Sequence, residues 1–154
     1  MVQKGQGEDN KCRMGCKAVE DMHHIFIVCL EYDKLRKEAR KDVVKKTWMR
    51  IQSWEIEETR MTGFLKKAKS LFINCSFFTW LLHYTFYYLG HVPLLDPHVT
   101  LDPFKNWIQH EHFIHNLKGN WHMSSVRLAL YIYGQFQKRM AKTRNALEKT
   151  KRDW

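Results

Sequence analysis

The sequence predicts an all-α protein: a small cysteine-bearing hairpin followed by a bundle of four or five helices. Three observations carry that prediction. Beyond residue 30, apolar side chains recur at three- and four-residue steps. With 7 Gly and 3 Pro in 154 residues, turn formers are too scarce for the many tight turns of an all-β fold. Three of the four cysteines, Cys12, Cys16 and Cys29, crowd into the first 29 residues. The length suits one domain or a small domain with an appended module. It is too short for a complete polymerase or for a (β/α)₈ barrel, which needs roughly 200 residues or more. No Gly-rich phosphate loop is present.

The N-terminus, MVQKGQGEDNK, is polar and contains no apolar run, so no secretory signal is expected. The expected location is intracellular, nuclear or cytoplasmic. In a reducing compartment, clustered cysteines point to metal ligands or buried thiols before disulfides. The spacing is C-x3-C-x7-H-x4-C through Cys12, Cys16, His24 and Cys29. Three thiolates and one imidazole suit a closed tetrahedral zinc site; three buried thiols near a helical core are the alternative. His23 is the less suitable of the two adjacent histidines. Gly15 permits the tight turn that brings two thiolates to one ion, and Glu20-Asp21 can cap a short helix presenting His24. On a continuous α-helix His24 and Cys29 lie about 140° apart. The helix must therefore end near Val28, with Cys29 at its exit. Cys75, among Leu71, Phe72, Phe77 and Phe78, is expected to be a small buried hydrophobe.

The segment CRMGCKAVEDMHHIFIVCLEYDKLRKEARK resembles the zinc-binding segment near the C-terminus of reverse transcriptases of non-LTR retrotransposons. The shared features are two cysteines, an acidic stretch, a histidine followed by apolar residues, a further cysteine and then a helix. YYLGHVPLL (87–95) and SVRLALYIYGQFQKRMA (125–141) look like the tail of fungal retroelement reading frames. The resemblance implies Cys12, Cys16, His24 and Cys29 as zinc ligands. The family usually has two residues between its first cysteines; this chain has three, Arg13, Met14 and Gly15. The polymerase is missing from the chain. No Tyr-x-Asp-Asp or Phe-x-Asp-Asp is present to hold catalytic Mg²⁺, and no nuclease-like acidic pair with a nearby cation stands out, so no enzymatic activity is expected.

Glu31 to about Trp54 is predicted as a helix, with Leu35, Ala39, Val43 and Ile51 and the offset pair Val44 and Trp48 as its apolar positions. Lys34, Arg36, Lys37, Arg40, Lys41, Lys45 and Lys46 form its polar face, either phosphate-binding or simply solvated. A second helical stretch follows Glu55, Glu57 and Glu58, weakened by Gly63. Ser70–Leu95 is free of charged residues over 26 positions. Its scattered polar and aromatic residues favour a core helix ending at Gly90 over a membrane span. Residues 91–104, with Pro93, Pro97 and Pro103, form a connector. The domain plan is thus a zinc-binding segment over 1–30, a helical core over 31–90, that connector, and C-terminal helices with a basic tail over 105–154.

Among the C-terminal residues, His110, His112, His115 and His122 lack the spacing of a catalytic zinc site and are expected at a surface or interface. Gly119 is expected to break the chain, and Ser124 or Ser125 to cap a last helix reaching about Lys149. Ala129, Ile132, Tyr133, Phe136, Met140 and Leu147 are its predicted core stripe.

The net charge is +10, distributed as +4 over residues 1–50, −1 over 51–104 and +7 over 105–154. That pattern suits a polyanionic partner, RNA or DNA backbone, or else solvated helix faces. The candidate nucleic-acid contacts are Lys138, Arg139, Lys142, Arg144, Lys149, Lys151 and Arg152. The leading expectation is a noncatalytic zinc-dependent nucleic-acid-binding module, the C-terminal part or remnant of a retroelement reverse transcriptase, with no small-molecule substrate. The alternatives are a helical protein-interaction module, a decayed reading frame that binds no nucleic acid, and a single-pass membrane protein.

Overall fold

The structure is a computed structural model that describes residues 10–54, 58–73, 88 and 107–153; the side chains of 58–61 and 107 are outside the description. Three α-helices follow a small N-terminal hairpin: α1 (Asp33–Ser53), α2 (Glu58–Ser70) and α3 (Trp107–Arg152). No strand occurs among the described residues, apart from one isolated bridge between Lys11 and Val19. The fold is all-α, as the spacing predicts. The central uncharged stretch (74–87), the connector over 91–104, Cys75 and Gly90 lie outside the described residues. Among the described residues no helix is long and apolar enough to cross a membrane.

Helix α1 begins later than the sequence predicts, because Leu30–Tyr32 forms a 3₁₀ turn first. Its buried positions are Arg36, Val43, Thr47 and Ile51, at steps of seven and four residues. Leu35, Ala39 and Val44 pack at the edges, whereas Trp48 is 44% exposed and Thr47 takes the inward position expected of it. Pairs one turn apart brace the outer face: Lys37 to Asp33 at 2.8 Å, Lys46 to Asp42 at 2.6 Å and Lys34 to Glu38 at 3.9 Å. Helix α2 runs through Gly63 and buries Phe64 and Ala68, and Leu71 just past its end is buried too. Phe72 follows in the left-handed region, with φ 62° and its ring buried. Glycine usually holds this position at a helix end, and a side chain there costs about 1–2 kcal/mol.

Helix α3 departs most from expectation. It is one element of 46 residues, about 70 Å long, and continues through Gly119. Neither Ser124 nor Ser125 caps a helix: both are buried inside α3, and the Ser125 hydroxyl donates to the Trp121 carbonyl at 2.8 Å, one turn back. The inward face explains the continuity. Phe113, Leu117, Trp121, Ser124, Leu128 and Ile132 are all buried at three- and four-residue steps that span the glycine, and packing on that face outweighs about 1 kcal/mol of poor helix propensity. Of the predicted stripe, Ile132 is fully buried and Ala129, Phe136 and Met140 are half-buried, but Tyr133 and Leu147 are exposed. From Ala141 to Asp153 every residue is exposed.

Helix α1 packs along both α2 and α3. Phe113 of α3 receives Phe64 of α2 and Trp54, just past α1, in edge-to-face geometry, with centroids at 5.2 and 5.7 Å. One level along, the Trp121 indole N–H donates to the Thr47 hydroxyl at 2.9 Å, both groups buried. The hairpin sits at the other end of this packing, against α3 and the start of α1.

Candidate metal centre

Residues 10–20 double back on themselves. The Glu20 amide donates to the Asn10 carbonyl at 2.7 Å and the Cys12 amide to the Ala18 carbonyl at 2.8 Å. The tip closes where the Gly15 amide donates to the Cys12 carbonyl at 3.1 Å, and Gly15 has φ +92°. A Cβ there would meet nothing within 4 Å, so glycine is required by backbone conformation and not by space. The two acidic residues divide their work. Glu20 accepts from the Arg13 amide at 2.9 Å, while the Asp21 carboxylate accepts from the His24 amide at 2.7 Å, capping the helical turn that presents His24.

That turn is wider than an α-helix. Over His24–Val28 the backbone pairs five residues apart, closed by the Cys29 amide donating to the His24 carbonyl at 2.6 Å. Five-residue pairing makes His24 and Cys29 neighbours across one turn, where an α-helix would separate them. The chain then leaves the helix at Cys29, whose φ and ψ of −55° and 122° are extended. The exit after Val28 agrees with the sequence argument; the widened turn does not follow from it.

The result brings together the four side chains singled out by spacing. The ligand atoms of Cys12, Cys16, His24 and Cys29 all lie within 4.8 Å of one another, and no other such group occurs among the described residues. The Cys29 sulfur is 3.8 Å from that of Cys12 and 3.9 Å from that of Cys16. These are not disulfide distances. They match the roughly 3.8 Å between two sulfurs bound at about 2.3 Å to one tetrahedral ion. Cys12, His24 and Cys29 are buried. The His24 Nε2 has no hydrogen-bond partner, a cost that buried imidazole rarely bears. A cation among the three sulfurs would satisfy it. Burial, with smaller contributions from the adjacent Cys12 and Cys16 thiols, pushes the Cys29 thiol up to about 12. The metal-free site therefore prefers the neutral thiol, and a bound cation reverses that preference. His23 is half-buried and outside the group; burial lowers its pKa, opposed by Asp21.

Residues beyond the four candidate ligands hold this loop. Arg36 is only 3% exposed and was expected on the polar face of α1. Its guanidinium instead donates to the Cys29 carbonyl at 2.5 Å and the Phe26 carbonyl at 3.2 Å, tying down the end of the widened turn. Arg139, expected among the nucleic-acid contacts, pairs with Glu31 and donates to the Met14 sulfur at 3.2 Å; Arg13 reaches back to the Met140 sulfur at 2.9 Å. The hairpin and α3 are thus clasped twice. Tyr88 stacks on Phe26 with centroids 4.8 Å apart. No composition or spacing rule distinguishes Arg36 from the other cations of α1. The one clue is its position seven residues after Cys29, within reach of carbonyls that a helix end leaves unpaired.

The other candidate nucleic-acid residues all lie on α3. Lys138, Lys142, Lys149, Lys151 and Arg152 are exposed, and Arg144 is exposed while pairing with Glu148 at 3.9 Å. His112, His115 and His122 are exposed on the same helix and His110 is half-buried.

Fold and site together define the class: an all-α protein with an N-terminal Cys₃His cluster able to hold a metal ion. Comparison with family models, curated proteins and solved structures found no match for the chain.

Proposed function

We propose that the chain is a noncatalytic, zinc-stabilised nucleic-acid-binding module. The observation that carries the zinc reading is the convergence of three sulfurs and an unpaired buried imidazole at tetrahedral spacing. Thiolate and imidazole donors in a closed set suit Zn²⁺ above harder cations. The ion would hold the hairpin, its ligands acting as structural clamps with no open position for a substrate.

The polyanion reading rests on α3. Between Arg127 and Arg152 stand eight cations and one acid, Glu148. Lys138, Lys142, Lys149 and Arg152 fall at i, i+4, i+11 and i+14, one stripe of an exposed helix. Such a stripe contacts phosphates without reading sequence. The likeness of residues 12–40 to the retroelement segment supports a further proposal, that the module derives from a reverse transcriptase. A search of the surrounding genomic DNA tests this: finding no intact or decayed polymerase reading frame beside it would dismiss that origin.

For the function itself, two measurements suffice. Metal analysis should find one zinc per chain, lost in Cys16→Ser. Titration of an oligonucleotide at two salt concentrations should show log affinity falling linearly with log salt. Zinc-free protein, or affinity indifferent to salt, overturns the reading. The second outcome would favour a protein partner, for which the exposed Met123, Leu130 and Tyr131 of α3 offer an apolar surface.

A further inference from the structure

We propose that the groove between α1 and α2 is a second binding site, taking an unpaired base of a single-stranded nucleic acid against Trp48 and its flanking phosphates on the surrounding cations. This rests on the module reading above but concerns a surface remote in sequence from the α3 stripe. The groove encloses about 480 Å³, within the range of ligand-sized sites. Its apolar floor is Val44, Trp48 and Leu65; its rim is Arg40, Lys41, Lys45 and Lys69, with no acid in the lining.

Three features select the occupant. The first is charge. The acids of α1 are held by other lysines, Asp33 by Lys37, Glu38 by Lys34 and Asp42 by Lys46. Lys41, Lys45 and Lys69 are exposed and make no ion pair among the described residues. The second is the indole. Trp48 follows Val44 by one turn of α1, so the amphipathic pattern would place it inward, yet it is 44% exposed beside a cationic rim. An exposed aromatic face among cations is the arrangement by which proteins stack unpaired bases while gripping the backbone. The third is access. A duplex keeps its bases stacked and offers only phosphate to this groove, while an acidic peptide would use the cations and leave the indole idle.

The test uses the full chain loaded with zinc, fluorescent oligo-dT and oligo-U, and a DNA duplex of the same length. Trp48→Leu should weaken single-strand binding by about tenfold or more and leave duplex binding unchanged; Trp48→Phe should restore most of the loss. The double variant Lys41→Gln, Lys45→Gln should lower the single-strand salt slope by about 1.4, and does so independently of any packing change at Trp48. Lys142→Gln with Lys149→Gln serves as the α3 control. Unchanged single-strand affinity in Trp48→Leu, with loss confined to the α3 control, overturns the groove and spares the module. Displacement of the oligonucleotide by polyglutamate that itself requires Trp48 reassigns the groove to acidic peptides and overturns the proposal. Absence of any oligonucleotide binding by the unsubstituted protein overturns both readings.

Discussion

Arg36 shows how much a single side chain contributes to the metal loop. Burying a guanidinium is costly unless its donors are used, and here they hold the carbonyls of Phe26 and of the candidate ligand Cys29 while Asp33 lies 3.8 Å away. Arg36→Met keeps the bulk and removes the bonds. Stability should fall by about 2 kcal/mol, and metal affinity by roughly 10–100-fold, as for other residues that orient ligands. Thermal denaturation and competition with a colorimetric chelator measure the two effects. The four members of the Cys₃His cluster were legible in the sequence, because cysteine and histidine at short spacing suit a common metal. Arg36 was not, because a cation on a helix is ordinarily solvated and only the path of residues 26–29 supplies its acceptors.

At the scale of elements, the joint between α1 and α3 is a hydroxyl and an indole in a dry setting. Thr47→Val preserves shape but leaves the Trp121 N–H buried without its acceptor, which should cost about 1–3 kcal/mol. A denaturant midpoint reads this directly, and combining it with Trp121→Phe should recover part of the loss at that contact. Gly119 offers the opposite case. It lies within α3 with nothing within 4 Å of the place an alanine methyl would occupy, and its neighbours Leu117 and Trp121 hold the helix on course. Gly119→Ala should therefore raise stability by about 0.5–1 kcal/mol; a decrease in melting temperature would show that the helix is interrupted there after all. Glycine suggested a break in the sequence because local propensity takes no account of the face that α3 buries on either side of it.

Among the described residues one buried cluster runs from Cys12, Phe26 and Cys29 at the hairpin end to Phe113 and Trp121 between the helices, and the hairpin end is held further by the Arg139–Glu31 and Arg13–Met140 clasps. Chelation should lower the melting temperature and raise amide exchange over residues 10–32 before it affects the core. In the chelated chain the sign of the pH dependence follows from Cys29, whose thiol rises from 9.0 to about 12 on burial. Folding favours the neutral thiol, so that contribution is complete below pH 9 and is lost as pH climbs toward 12. The buried Tyr32 hydroxyl, also raised to about 12, acts in the same direction. Melting curves should show the chelated protein less stable near pH 10 than at neutral pH, and zinc loading should shrink or reverse that loss, because metal-bound thiolates carry no proton while the unfolded thiols still do at neutral pH.

Helical class and the Cys₃His cluster able to hold a metal were determined by the sequence alone, since periodicity and donor chemistry are local properties that survive in a string of letters. The unbroken length of α3, the five-residue turn that sets His24 beside Cys29, the burial of Arg36 and the cationic groove around Trp48 were decided only in three dimensions. Each depends on which surfaces meet, and packing energies between distant segments exceed the tenths of a kcal/mol by which local preferences differ.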